Sequence, residues 1–175
     1  PMYKGENGID NLNVILQELF NPPTPNLNEV HIGSLIYREN DKVINLVNNI
    51  DQNIFNGDIG YIKSINTNKS SEFMVIDYYG NLVTLKKDEV PTIKHAYAMS
   101  IHKSQGSEFN HVIIPMSKEY NRMLYNKLLY TGVSRAKKSL VIIGDSNAFM
   151  YAVKNSYSKE RKTTLTELIM NKFNV

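Results

Sequence analysis

Between Pro25 and Pro91 the chain divides into five β-rich runs of five to seven residues. They are His31–Tyr37, Lys42–Val47, Ile59–Ile65, Phe73–Tyr79 and Leu82–Lys86. Turn signals separate them at Asn48-Asn49, Asn56-Gly57, Asn66–Ser71 and Gly80-Asn81. Asn-Gly and Gly-Asn pairs supply the positive φ that tight turns need. Five strands in about 60 residues predict a small barrel or rolled sheet. A flat meander packed on its neighbours is the plainer alternative.

The flanks have a different texture. Residues 9–20 predict a helix, with Ile9, Leu12, Leu16, Leu19 and Phe20 on one face. Asn21-Pro22-Pro23-Thr24-Pro25 ends it, because proline lacks the donor and clashes with the preceding turn. After Pro91, His95–Ile101 is strand-like, and Val112–Ile114 and Ser139–Ile143 read as buried strands. Helices are predicted at Met123–Tyr130, 146–155 and 163–173, the last with Leu165, Leu168, Ile169 and Phe173 on one face. Strands alternating with helices predict an α/β fold, a mainly parallel sheet with helices on both sides.

Composition narrows the chemistry. The 175 residues include no cysteine, which excludes disulfides, Cys-type zinc sites, iron–sulfur clusters and a thiol nucleophile. No apolar run approaches a membrane span, and the polar start has no signal-peptide pattern, so a soluble cytoplasmic protein is expected. The first residue, Pro1, suggests a piece of a longer polypeptide or a processed product. Residues 1–90 carry 7 Lys/Arg against 12 Asp/Glu; residues 91–175 carry 13 against 5. That asymmetry suggests a polyanionic partner for the second half, the plain alternative being a solvated basic surface.

Two segments concentrate reactive groups. Ala98–Phe109 leaves an apolar run for a polar loop holding Ser100, His102, Lys103, Gln105, Gly106 and Glu108. Such groups after a parallel strand suit phosphate, ribose or a nucleic-acid backbone. Taken alone, the segment is also an ordinary polar loop. In Leu129–Lys138 a helix ends near Thr131-Gly132, and Arg135, Lys137 and Lys138 precede an apolar strand. An arginine there can aim its planar donor fork at a phosphate, or the cations can simply cap helix carbonyls.

Together the two segments resemble motifs V and VI of superfamily 1 helicases of the RecD-like branch. The matching pieces are Ala-Tyr-Ala-Met-Ser-Ile-His-Lys-Ser-Gln-Gly-Ser-Glu-Phe (96–109) and Leu-Tyr-Thr-Gly-Val-Ser-Arg-Ala-Lys (129–137), followed by Val-Ile-Ile-Gly-Asp. Pro1–Gly5, Gly8-Ile9, Leu12-Asn13 and Leu16-Gln17 resemble the surroundings of motif IV. Asp41-Lys42-Val43 and Phe55–Gly60 resemble the barrel-like insertion of RecD-type proteins, also known as exodeoxyribonuclease V alpha subunits.

The resemblance implies a second RecA-like motor domain at about 1–30 and 91–175, with a small Src-homology-3-like barrel inserted at about 31–90. It implies ATP with Mg²⁺, single-stranded DNA, an upstream first motor domain and, in some members, other recombination or repair subunits. Members move 5′ to 3′ and unwind duplex DNA. Position by position, Arg135 matches the arginine finger. Gly106 and Glu108 match positions near the nucleotide, with Glu108 a candidate for the ribose, and Gln105 would sense the γ-phosphate or couple it to DNA. Ser100 and His102 match positions facing the DNA backbone, with Lys103 a further phosphate contact. Thr131 and Ser134 would shape the Arg135 loop.

The chain contains no Gly-x-x-x-x-Gly-Lys-Ser/Thr run and no strand ending in Asp-Glu. In this family both lie on the first motor domain, so the chain alone is expected to bind ATP poorly and hydrolyse none. The same absence motivates an alternative: a non-hydrolysing nucleic-acid- or protein-binding module. His31, His95, His102 and His111 lack metal-ligand spacing, so no metal site is expected, and no carboxylate cluster suggests a nuclease. Tyr61, Phe73, Tyr78 and Tyr79 are candidates for a base-stacking platform, although period-two alternation places about half of them in the core. The Asn68-Lys69-Ser70 sequon carries no weight without a secretory signal.

Overall fold

The computed structural model describes residues 2–156 and 164–173. Helix α1 (Ile9–Phe20) opens the chain. Its buried stripe is rotated from the predicted apolar face: Ile9, Asn13 and Gln17 are buried, while Leu19 and Phe20 are 67% and 68% exposed. Hydrogen bonding explains the rotation. The Asn13 amide donates to the Ala98 carbonyl at 2.9 Å and accepts the Ala98 N–H at 2.9 Å, as a neighbouring strand would. Gln17 donates to the Ile36 carbonyl at 2.8 Å and to Asp41 Oδ2 at 2.6 Å. Buried amides require such partners, and here the partners select the helix face.

Strands β1 (Glu29–Ile32) and β2 (Leu35–Arg38) form an antiparallel hairpin. The sequence predicts one strand over His31–Tyr37, but Gly33, at φ +61°, turns the chain inside it. Strands β3 (Lys42–Asn45), β4 (Ile59–Ile65), β5 (Met74–Tyr78), β6 (Asn81–Leu85) and β7 (Ile93–His95) build an antiparallel sheet in the order β6-β5-β4-β3-β7. Alternation sends Val43, Ile62, Ile76 and Val83 into one core with Tyr37, Phe73, Met74, Tyr78, Val90 and Ile93. Val30, Ile32 and Leu35 from the hairpin pack on the same core. That shared interior is what a barrel or rolled sheet requires and a flat meander lacks.

The expected strand over His95–Ile101 is a correction. Residues Ile93–His95 pair with β3 instead, and the chain then leaves the sheet. Its backbone groups find other partners: Ala96 N–H donates to the Lys42 carbonyl at 2.8 Å, and Ala98 pairs with the Asn13 side chain.

Strands β8 (Phe109–Met116) and β9 (Ala136–Gly144) form a parallel pair. A 3₁₀ turn over Lys118–Met123 precedes α2 (Asn126–Val133), so the helix starts later than Met123. Helix α3 (Ser146–Lys154) follows β9, and α4 (Leu165–Phe173) comes last. Ile114 and Met116 of β8 pack with Tyr120, Leu124, Ala148 and Ala152, so α2 and α3 share one face of the pair. The other face presents Ile113, Val141 and Ile143, at 65%, 47% and 51% exposure. Among the described residues the parallel sheet is therefore two-stranded with helices on one face, less than the sequence predicts. On α4, Leu168, Ile169 and Phe173 are exposed, and the side chain of Leu165 lies outside the described residues.

One buried junction ties the segments together. Asp41, fully buried, accepts hydrogen bonds from Gln17 and Asn21 of the first helical segment, at 2.6 and 2.7 Å. It also accepts from the Arg38 N–H at 2.7 Å, from Tyr97 Oη at 2.9 Å and lies 3.2 Å from His95 Nε2. Arg38, also buried, pairs with Glu18 at 2.7 Å and Glu29 at 3.0 Å.

Candidate functional site

The loop from Ser100 to Glu108 is a compact polar turn anchored at both ends. Ser104, buried, donates through Oγ to the Ile101 carbonyl at 2.8 Å. Its N–H reaches the Ser100 and Ile101 carbonyls at 3.2 Å each, and Ser107 N–H reaches the Ser104 carbonyl at 3.1 Å. His102 and Gln105 are exposed on this turn. Gly106 sits at φ +85°, a conformation in which a side chain is strained. Ser100 Oγ accepts the Lys103 N–H at 3.3 Å, and Lys103 Nζ donates to Asn56 Oδ1 at 2.8 Å.

The second segment closes against the first. Gly132 of α2 allows a close approach: a Cβ there would lie 3.0 Å from Ile101 Cδ1. Phe109 N–H donates to the Arg135 carbonyl at 2.8 Å where β8 meets β9. The Arg135 guanidinium is half-buried and held on three sides. Nε donates to the Thr131 carbonyl at 3.0 Å, Nη1 to the Ser107 carbonyl at 3.1 Å and Nη2 to Ser134 Oγ at 3.0 Å. Guanidinium carries five N–H groups, so two remain for an anion. Glu108 Oε2 lies 2.8 Å from Lys137 Nζ, and that ammonium holds the Glu108 carboxyl below its ordinary range.

The structure thus brings Ser107, Glu108, Arg135 and Lys137 together, and leaves His102 and Gln105 on the outer side of the turn. Several contributors escape sequence reasoning. Lys137 as partner of Glu108, Asn56 as partner of Lys103, and the Asp41 junction all depend on remote pairing. Burial by itself would raise the Asp41 carboxyl, but hydrogen bonds from His95, Asn21 and the Arg38 N–H outweigh it, and the net shift is downward. Burial lowers the Lys42 ammonium, whose Nζ lies 5.7 Å from the Phe109 ring centroid. Of the four aromatic candidates, Phe73 and Tyr78 belong to the core, whereas Tyr61 and Tyr79 are 47% and 89% exposed. No group of three or more His, Cys, Asp or Glu suited to a metal ion occurs among the described residues.

Known proteins match both halves of this arrangement. Residues 12–78 match the SH3 domain of ATP-dependent RecD-like DNA helicases, and residues 95–143 match the UvrD-like helicase C-terminal domain. The ATP-dependent RecD2 DNA helicase of Deinococcus radiodurans is 32% identical over 169 residues, 97% of this chain. The chain is similar to the C-terminal part of RecD-like helicases. The RecBCD enzyme subunit RecD of Haemophilus influenzae is 36% identical over 83 residues, 47% of this chain. The chain spans 22% and 13% of the lengths of these two relatives. A Bacteroides Pif1 bound to single-stranded DNA shares the fold with a TM-score of 0.58 at 16% identity, over 98% of this chain and 44% of its own. A structure of two Pif1 helicases at forked double-stranded DNA gives 0.57 at 14% identity, over 95% and 41%. These neighbours give the fold as RecA-like α/β with an SH3-like insertion.

Proposed function

We propose that this chain is the second motor domain of an ATP-dependent DNA helicase, comprising residues 1–30 and 91–175, with the barrel at 31–90 inserted in it. It supplies one wall of a nucleotide site whose phosphate-cradling loop and Mg²⁺-holding carboxylates belong to an upstream motor domain. Arg135 is the arginine finger. The observation that carries this reading is the docking of the Arg135 guanidinium on the Ser107 carbonyl at 3.1 Å, which joins the two segments into one edge with two N–H groups to spare.

The residues fit an ATP phosphate chain. Arg135 stabilises charge on the γ-phosphate, and Gln105 senses that group. Gly106 lets the backbone turn close to the nucleotide, and Glu108 accepts from the ribose once it exchanges its exposed Lys137 partner. Bound with Mg²⁺, ATP supplies the phosphoryl-transfer energy. Ser100 and His102 donate to the backbone of a single DNA strand, and the remaining Lys103 N–H groups add a phosphate contact. Other recombination or repair subunits are further partners of the whole protein, a reading supported by relatives named as subunits of the RecBCD enzyme.

The test is ATP turnover by the longer polypeptide that contains this segment, with and without single-stranded DNA. Strand-stimulated hydrolysis is expected there and none from the 175-residue chain assayed alone. Hydrolysis by the isolated chain, or none by the longer one, would overturn the reading. The salt dependence of strand binding separates it from a protein-binding module.

A further inference from the structure

The turn between β3 and β4 is built to hold one side chain in place. Asn45, 1% exposed, donates through Nδ2 to the Val47 carbonyl and to the Phe55 carbonyl at 3.0 Å. Asp58 Oδ2 accepts the Phe55 N–H at 2.7 Å, and Asn48 Oδ1 accepts the Asn56 N–H at 2.8 Å. Gly57, at φ +103°, closes the turn with its N–H on the Asn45 carbonyl at 2.9 Å. Every one of these bonds spares the Asn56 side chain, whose Oδ1 meets Lys103 Nζ at 2.8 Å.

The Lys103 loop lies against the barrel elsewhere too. Ile44, Ile59 and Ala96 form a small buried cluster with Leu46, Met99 and Phe109 packed on it. Lys42 lies over the Phe109 ring. On its far side the same loop carries the Ser107 carbonyl that holds Arg135. A barrel turn, a polar loop and an arginine are therefore linked by consecutive contacts.

From this arrangement we propose that Asn56 is a positioning residue. Its contact with Lys103 fixes the Ser100–Glu108 loop to the barrel, so that a strand engaged at Ser100, His102 and Lys103 bears on the Arg135 loop. The role rests on the helicase reading above only for its second consequence, the change in ATP turnover. A chain of contacts becomes a coupling pathway only when perturbing one end changes the other, so the experiment has two arms.

In the first arm, amide hydrogen exchange is read on the 175-residue chain. Asn56→Ala is expected to speed exchange of the Ser104 and Ser107 amides about 3- to 10-fold, the usual weight of one hydrogen bond. Amides of β4 and β5 should keep their rates, which excludes global unfolding. Asn56→Asp, which keeps an acceptor for Lys103, should restore wild-type exchange. Unchanged loop exchange in Asn56→Ala overturns the strut.

In the second arm, ATP turnover is read on the longer polypeptide with oligo(dT). Asn56→Ala should leave basal turnover unchanged and lower strand stimulation several-fold, with Asn56→Asp rescuing it. Equal stimulation in wild type and Asn56→Ala overturns the coupling. If the wild-type polypeptide hydrolyses no ATP, the helicase reading fails, and the exchange arm alone decides whether Asn56 positions the loop.

Discussion

Arg135 Nη1 and the Ser107 carbonyl oxygen are 3.1 Å apart, although the residues are 28 positions apart in the chain. The bond spans the parallel β8–β9 pair at the point where both strands begin, beside the Phe109 N–H bond to the Arg135 carbonyl. An arginine anchored through three of its five N–H groups has little rotameric freedom left to lose when it meets an anion. Such preorganisation favours charge stabilisation in a transition state over loose ground-state attraction.

The Asp41 junction predicts a large stability effect. Asp41→Ala removes the acceptor for Gln17, Asn21, Tyr97 and the Arg38 N–H, all buried or half-buried. A loss of about 3 kcal/mol or more is expected, since breaking a buried charge network strands its donors. Urea unfolding of the 175-residue chain measures it; a loss below about 1 kcal/mol would mean the junction relaxes freely.

The same carboxylate predicts acid sensitivity. Its pKa is lowered in the folded state, because hydrogen bonds outweigh the upward pull of burial. The folded state therefore holds the ionised form more strongly than the unfolded chain does. Its contribution is complete above the unfolded value of about 4 and is lost as pH falls through the lower folded value. Unfolding midpoints from pH 7 down to about pH 2 should drop more steeply for wild type than for Asp41→Asn.

Much of the barrel is legible in the sequence, because turn chemistry is local. Asn56-Gly57 and Gly80 announce positive φ by residue type, and Gly57 and Gly80 sit at +103° and +95°. The split of His31–Tyr37 by Gly33 is equally local, but one glycine inside a strand-like run is a weak signal. The face of α1 was not legible. Asn13 and Gln17 turn inward for partners at Ala98 and Asp41, and period counting ranks amides as solvent-facing. At the candidate site, Arg135 and Gly106 stand out through motif resemblance. Asn56 does not, because its partner Lys103 lies 47 residues away on another element.

The hairpin tip between β5 and β6 makes a sharper test of turn chemistry. Tyr79 and Gly80 form a two-residue loop with φ +54° and +95°, a geometry that suits Asn-Gly and strains a tyrosine. Tyr79→Asn should stabilise the chain by about 0.5–1 kcal/mol. Phe73→Ala, emptying a core position, should cost about 3–5 kcal/mol. Thermal or urea melts of both variants give the comparison, and destabilisation by Tyr79→Asn would show that the exposed ring packs on something.

Charge asymmetry predicts salt-sensitive strand binding. Residues 91–175 hold 13 Lys/Arg against 5 Asp/Glu, and two to four phosphate contacts would give a slope of about −1.5 to −3 in log K against log salt. Fluorescence anisotropy of labelled oligo(dT) with the 175-residue chain reads the slope. A flat line with retained binding would point to apolar contacts in place of backbone recognition.

The central claim is that Arg135 completes a nucleotide site. Its most direct test is steady-state ATP turnover, with saturating single-stranded DNA, by the longer polypeptide carrying Arg135→Lys. Lysine keeps the charge and loses the planar fork that reaches Thr131, Ser107 and Ser134 together and that, as proposed, also meets a phosphate. Turnover should fall by about 10³-fold, with oligo(dT) affinity within about twofold of wild type. Turnover equal to wild type would contradict the account, leaving Arg135 a structural clamp between two loops.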